Sequence, residues 1–244
     1  MRISITSLNL WNTEHLEKRA ECLTSFLRTY KSDIFCFQEI RPELITLIDS
    51  ALPEWERVVT TLPNWNYESN IYYKKEMFTL LDYTLTSLEM PEKLRGLFTI
   101  KLMVKENGKE LFVNTVHFTH QGNADELRTG MPYRPKEAHL AALKLKEMVT
   151  NQPCLLTGDF NDPLQPARIL NEDADLLEVF TSLGLPSPVT FPCPYLSEEN
   201  YLVEAIDKIM YKNCTPLMAS SPHFYIPGGV LSDHWPVMAM FELF

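Results

Sequence analysis

Ile3 to Leu10 alternates between apolar and polar side chains, the pattern of a strand with one buried face. The spacing then changes. Leu16, Ala20, Leu23, Leu27 and Tyr30 recur every three or four residues, which predicts an amphipathic helix over Thr13–Tyr30 with Asn12 or Thr13 as its N-cap. Ile34–Phe37 is a short continuous apolar run, as expected of a strand buried on both faces. Pro42 opens a second helix through Leu52, since its missing N–H costs little in the first turn. The middle of the chain reads as extended segments: Arg57–Thr61, Asn70–Lys74, Phe78–Leu88, Leu97–Lys105 and Glu110–Phe118, with Asn107-Gly108 as a hairpin signal between the last two. Lys136–Val149 returns to helical spacing, and Cys154–Thr157 is another short buried strand. A helix is expected over Asp175–Leu183, ended by Gly184, followed by strands at Ala205–Tyr211 and Val237–Leu243.

Strands and helices therefore interleave in both halves, and no Gly/Ser linker, repeat or low-complexity tract separates them. This order predicts one α/β (α+β) domain over residues 1–244, a four-layer sandwich of two packed mixed sheets flanked by helices.

Composition changes this picture little, but charge and cysteine usage constrain it. Acidic residues outnumber basic ones by 32 to 22, a net charge of −10, which argues against a protein held to nucleic acid by a broad basic surface. A local basic rim and a bound cation can still reverse the field at one site. The five cysteines form no C-x-x-C pair, so a reducing compartment is expected. The chain starts directly in a strand pattern and has no apolar run long enough for a membrane span, so a cytoplasmic protein without a signal peptide is expected.

The chemistry gathers at strand ends. Asn9 follows the first strand, Gln38-Glu39 the second, and Asn114 and His117 lie near the end of Phe112–Phe118. Gly158-Asp159-Phe160-Asn161 follows Cys154–Thr157, Asp207 lies within Ala205–Tyr211, and Ser232-Asp233-His234 precedes the last strand. Strand ends are where α/β folds hold ligands. Asn9, Glu39, Asp159, Asn161, Asp207 and Asp233 supply hard oxygen donors, only His117 and His234 supply imidazole, and no zinc-like spacing occurs. Such a set suits Mg²⁺, with Mn²⁺ as a substitute. Metal-assisted hydrolysis of a phosphate ester is the matching chemistry.

Leu8-Asn9-Leu10-Trp11, Phe37-Gln38-Glu39, Asn114-Thr115-Val116-His117, Gly158-Asp159-Phe160-Asn161, Ile206-Asp207-Lys208-Ile209 and Ser232-Asp233-His234-Trp235-Pro236-Val237 together resemble the endonuclease/exonuclease/phosphatase superfamily, in that family's order. The resemblance implies roles. Glu39 is the expected main metal ligand, with Asn9 and Asp233 beside it. Asp159 positions or deprotonates the attacking water, and Asn161 contacts phosphoryl oxygens. His234, oriented by Asp207, stabilises the transition state, and His117 serves as phosphate contact or general acid. The chain departs from the family at Val116-His117-Phe118, where Thr-His-Leu is usual, and at Lys208, where an aromatic residue is usual; strand alternation turns Lys208 away from Asp207. The expected substrate is a phosphate ester: a nucleic acid, a lipid headgroup or a small phosphodiester. A phosphatase or a non-catalytic binding module on the same fold is the alternative, and no obligate protein partner can be inferred.

Gln121–Arg134 reads as a long loop after His117, and loops of that length are often functional. Arg128, Arg134 and Lys136 within or beside it, and Arg95 elsewhere, are weaker candidates for substrate contact. His139 is expected on a helix face, His15 and His223 exposed, and Trp11 and Trp235 in core packing.

Overall fold

The computed structural model describes residues 1–193 and 204–244. In chain order the first half holds β1 (Arg2–Asn9), α1 (Leu16–Tyr30), β2 (Ile34–Gln38), α2 (Pro42–Ala51), β3 (Trp55–Arg57), α3 (Asn64–Tyr67), β4 (Ser69–Lys74), β5 (Phe78–Thr86), β6 (Leu97–Val104) and β7 (Glu110–His117). Then come α4 (Ala124–Thr129), α5 (Arg134–Met148), β8 (Cys154–Asp159), α6 (Gln165–Ala174), β9 (Leu177–Glu178) and α7 (Val179–Ser182). The chain ends with β10 (Asp207–Lys212), β11 (Thr215–Ser220), β12 (Tyr225–Ile226), β13 (Gly229–Val230) and β14 (Val237–Glu242).

Two six-stranded mixed sheets form, in the orders β11-β14-β1-β2-β4-β3 and β5-β6-β7-β8-β10-β9. Each is built around one parallel pair, β1–β2 in the first and β7–β8 in the second. The inner faces meet in a shared apolar layer, to which Ile5, Cys36, Ile71 and Phe241 contribute from one sheet and Phe98, Ile100, Val113 and Ile209 from the other. The outer face of the first sheet buries Phe35, Phe37 and Tyr72 against Phe26, Leu27, Leu44 and Ile48 of α1 and α2. That of the second buries Val116, Leu156 and Met210 against Ala138, Ala141, Leu145 and Leu170 of α5 and α6. The result is the expected four layers. Each fully buried large apolar side chain contributes about 1.5–3 kcal/mol, and the central layer is the largest of the apolar clusters among the described residues.

The differences from expectation have local causes. Helix α1 starts at Leu16 rather than Thr13 because Trp11, Asn12 and His15 adopt left-handed backbone (φ 53°, 48° and 49°), and the Asn12 amide bonds to Glu39 instead of capping the helix. The third strand is short and lies earlier, at Trp55–Arg57. Of the expected Asp175–Leu183 helix only Val179–Ser182 forms, because Asp175 takes φ 57° as the end of α6 and Leu177–Glu178 pairs with β10 as a strand. Helix α6 is nucleated upstream, where the Asp162 carboxylate accepts from the N–H groups of Leu164 (2.8 Å) and Gln165 (2.7 Å). The loop after His117 contains α4, capped by Asn123 accepting from the N–H groups of Asp125 and Glu126. Strand β11 went unforeseen because Pro216 breaks its pattern, and a register shift sits there.

Candidate active site

Parallel pairing puts the C-terminal ends of β1 and β2 side by side, with Asn9 opposite Gln38, and does the same for β7 and β8, with His117 opposite Asp159. The two sheets face each other, so these ends converge. Gln38 bridges them by donating to Thr115 Oγ1 at 2.8 Å. The convergence needs a glycine at 158: its φ is +144°, and a Cβ there would lie 1.9 Å from the Val116 carbonyl oxygen. Glu39 leaves β2 in left-handed conformation, φ 55°, a strain on the order of 1 kcal/mol that the surrounding fold supports.

Asp159 is the hub. Its Oδ2 accepts from Asn9 Nδ2 at 3.0 Å and is faced by His117 Nε2 at 3.5 Å and His234 Nε2 at 3.7 Å. Its Oδ1 accepts from the Asn161 N–H at 2.9 Å. The Asn161 side chain donates to the Phe118 carbonyl at 2.9 Å, so one of its amide hydrogens holds the loop in place. Asn9 also reaches Glu39 Oε1 at 3.3 Å, which links the metal-ligand candidate to the hub.

Both imidazoles are buried and backed by carboxylates. His234 Nδ1 lies 2.8 Å from Asp207 Oδ2. A carboxylate only accepts, so Nδ1 carries a proton and Nε2 faces Asp159. Burial works against a charged His234, but Asp207 and Asp159, with the Asp207 hydrogen bond and Asp233, overcome it and push the pKa up to about 10. His117 Nδ1 lies 2.8 Å from Glu68 Oε1. Glu68 in turn pairs with Arg95 at 3.2 Å. Burial would raise the Glu68 pKa, but the hydrogen bond and charge of His117, with Arg95 and Arg41, hold it below the usual carboxylate range.

Ligand atoms of Asp159, Asp207 and His234 lie within 4.8 Å of one another, close enough to hold a metal ion. The Glu39 side adds further oxygen donors, where Glu39 accepts from Asn9 Nδ2 at 3.3 Å and from the Asn12 amide. Asp233 is pushed above the usual carboxylate range by burial and by the like charges of Glu39 and Asp159, against the opposing pull of His234 and Ser232. Three crowded carboxylates with oxygen donors fit a hard divalent ion.

Against this geometry, the family profile described as "Endonuclease/Exonuclease/phosphatase family" matches residues 8–234, nearly the whole chain. The chain belongs to the endonuclease/exonuclease/phosphatase family. It is a phosphoric ester hydrolase of that family. Among curated relatives, tyrosyl-DNA phosphodiesterase 2 of Gallus gallus is 20% identical over 97% of this chain and 67% of its own length. The Homo sapiens protein of that name is 21% identical over 98% and 69%. Among solved structures, an endonuclease/exonuclease/phosphatase from Bacteroides vulgatus superposes with a TM-score of 0.82 at 21% identity, covering 100% of both chains. D. rerio TDP2 complexed with a single-strand DNA product gives 0.82 at 19% identity over 99% of each chain. A Bacteroides thetaiotaomicron mannosyl-6-phosphatase gives 0.75 at 19% identity over 98% and 99%. This shared fold is the one the strand and helix pattern predicts.

In this member of the endonuclease/exonuclease/phosphatase family, the structure brings together Asn9, Glu39, His117, Asp159, Asn161, Asp207 and His234, with Asp233 close enough to feel Glu39 and Asp159. The expected arginine rim does not form. Arg134 is buried, donates to the Thr119 carbonyl at 2.6 Å and pairs with Glu126 at 2.9 Å, so it braces the loop after His117. Arg95 stands behind His117 through Glu68 and donates to the Phe118 carbonyl at 3.3 Å. Arg128 is exposed and pairs with Asp125, and Lys136 pairs with Glu89. His139 lies on the exposed face of α5 beside Asp173; His15 and His223 are exposed, as expected. Trp235 is buried, whereas Trp11 is half-buried under Arg19. Among the described residues, no helix is long and apolar enough to cross a membrane.

Sequence reading missed Glu68 and Asn12. Asn12 was read as a cap; no motif marks Glu68, whose one signal is a carboxylate immediately before an almost wholly buried strand.

Proposed function

We propose that the chain is a Mg²⁺-dependent phosphodiesterase of nuclease type. The observation that carries this reading is the Asp159 carboxylate set between two imidazoles, each hydrogen-bonded at Nδ1 to a buried carboxylate. Asp159, held on both oxygens by Asn9 and Asn161, positions the attacking water and takes its proton. His234, kept charged by Asp207, donates through Nε2 to the phosphoryl oxygens as negative charge builds on them. His117 lies on the other side of Asp159, placed to contact a phosphoryl oxygen or protonate the leaving group. Glu39 would hold the cation, with Asn9 and Asp233 beside it; when bound, the ion neutralises charge on the phosphoryl group.

Nucleic acid is the favoured substrate class, because the curated relatives are tyrosyl-DNA phosphodiesterases and one neighbouring structure holds a single-strand DNA product. The net charge of −10 favours short or single-stranded ends over long duplex. Five cysteines without a C-x-x-C pair support a reducing compartment such as the cytoplasm.

The test is turnover of a chromogenic phosphodiester and phosphomonoester pair with magnesium, manganese or chelator. Diester turnover that needs metal and is lost in Glu39→Ala is expected. Metal-independent turnover, or a Glu39→Ala variant as active as the wild type, would overturn the metal assignment. Preference for the monoester would move the enzyme to the phosphatase branch.

A further inference from the structure

Asp207 and Lys208 are consecutive on β10 and face opposite ways. Asp207 points into the catalytic cluster, while Lys208 shares its face with Met210, which packs in the outer layer with α5 and α6. On that outer side Lys208 lines a cavity of about 340 Å³ bounded by α6, β9 and α7. Pockets for small ligands begin at about 300 Å³.

Two cations, Lys208 and Arg168, and one carboxylate, Glu178, line this cavity. Lys208 is only 3% exposed, and its ammonium, which opens onto the cavity, makes no hydrogen bond or ion pair with any described residue. A buried cation in that state is costly unless something pairs with it. The neighbouring carboxylates are engaged elsewhere. Glu178 accepts from the N–H groups of Phe180 and Thr181 and from the Thr181 hydroxyl, and Asp162 caps α6. Burial draws the Lys208 pKa below the ordinary lysine value, against the pull of Glu178, Asp207 and Asp162. Arg168, exposed on α6, lines the same cavity and also lacks a carboxylate partner among the described residues. Leu164, Ala167, Leu177 and Met210 give the cavity an apolar wall.

We propose that this cavity is a second anion-binding site, separate from the catalytic centre, for a small organic phosphate whose head meets Lys208 and Arg168 and whose apolar body lies on that wall. An ammonium with three donors and a planar guanidinium fork together suit a head with three oxygens better than a carboxylate with two.

Phenylphosphonate carries such a head and an aromatic body, and has no ester bond to cleave. It is titrated calorimetrically into the whole chain in the presence of chelator. Wild type and His234→Ala are expected to bind it alike. Lys208→Met is expected to bind about tenfold more weakly or worse, and Ala167→Trp, which fills the cavity, to lose binding. Lys208→Met replaces a largely desolvated cation with an apolar chain of similar length, so its melting temperature should hold, which separates lost binding from lost fold. The proposal is overturned if the wild type shows no binding at millimolar phenylphosphonate. It is equally overturned if Lys208→Met and Ala167→Trp bind as the wild type does, or if only His234→Ala loses binding. Benzoate binding as tightly as phenylphosphonate would overturn the phosphate assignment.

Discussion

His234–Asp207 and His117–Glu68 are two versions of one device, and they differ in what stands behind the carboxylate. Both pairs are 2.8 Å apart, both are buried, and both rings turn Nε2 toward Asp159. Behind Glu68 lies Arg95, which shares its charge. Among the described residues no arginine pairs with Asp207, and its Oδ1 is buried without a hydrogen-bond partner. Its charge therefore acts largely on His234. The difference separates a ring tuned to stay positive from a ring held in place by a neutralised network.

Substitutions can break this contrast. His234→Ala removes the charged donor and is expected to lower kcat by about 10²–10³ and also to lower the melting temperature, because the buried Asp207 carboxylate loses its partner; near-normal turnover in the folded variant would take His234 out of the chemistry. Asp207→Asn keeps the shape but removes the charge that holds the imidazolium. A loss of about 10–100-fold is expected, with activity falling at a lower pH than in the wild type as His234 gives up its proton. An unchanged pH profile would show that Asp207 only orients the ring.

Glu68→Gln sharpens the other side. It should affect stability more than chemistry, costing about 1–3 kcal/mol at neutral pH because Arg95 loses its partner. Its sign with pH follows from the lowered folded pKa. The Glu68 contribution is fully present above the unfolded carboxylate pKa of about 4.3 and is lost as pH falls through the lower folded value. Urea unfolding of wild type and variant should therefore converge in acid; a gap that persists there would mean the network is held by shape instead. Smallest is Arg128→Ala, whose guanidinium is exposed and, among the described residues, paired only with Asp125. It should change stability by about 0–1 kcal/mol and leave kcat/KM near wild type; a large rise in KM would restore this arginine to the substrate path.

Much of this was legible in the sequence for a physical reason. Asn9, Glu39, His117, Asp159, Asn161, Asp207, Asp233 and His234 each sit at or beside the end of a buried strand, and buried strands announce themselves by their apolar runs. Glu68 did not announce itself because its place depends on pairing between distant segments. Strand β4 runs antiparallel to β2 with Ser69 opposite Gln38, so Glu68 emerges at the same end as Glu39. No local pattern encodes that register. Arg134 misled because an arginine in a polar loop reads as surface, whereas here it is drawn inward by Glu126 and the Thr119 carbonyl. Helix α6 was overlooked although Pro166, Ile169, Leu170 and Ala174 recur on one buried face at helical spacing.

The hydrogen bond from Asn9 to Asp159 spans the two sheets. Glu39 comes from the first sheet, Asp159 and Asp207 from the second, and His234 from the return toward the first. Neither sheet alone holds a working set of groups. A chain cut at the exposed Asn107-Gly108 turn would yield two fragments that are each inert, and their hydrolytic activity on mixing would measure reassembly directly, as in a split reporter.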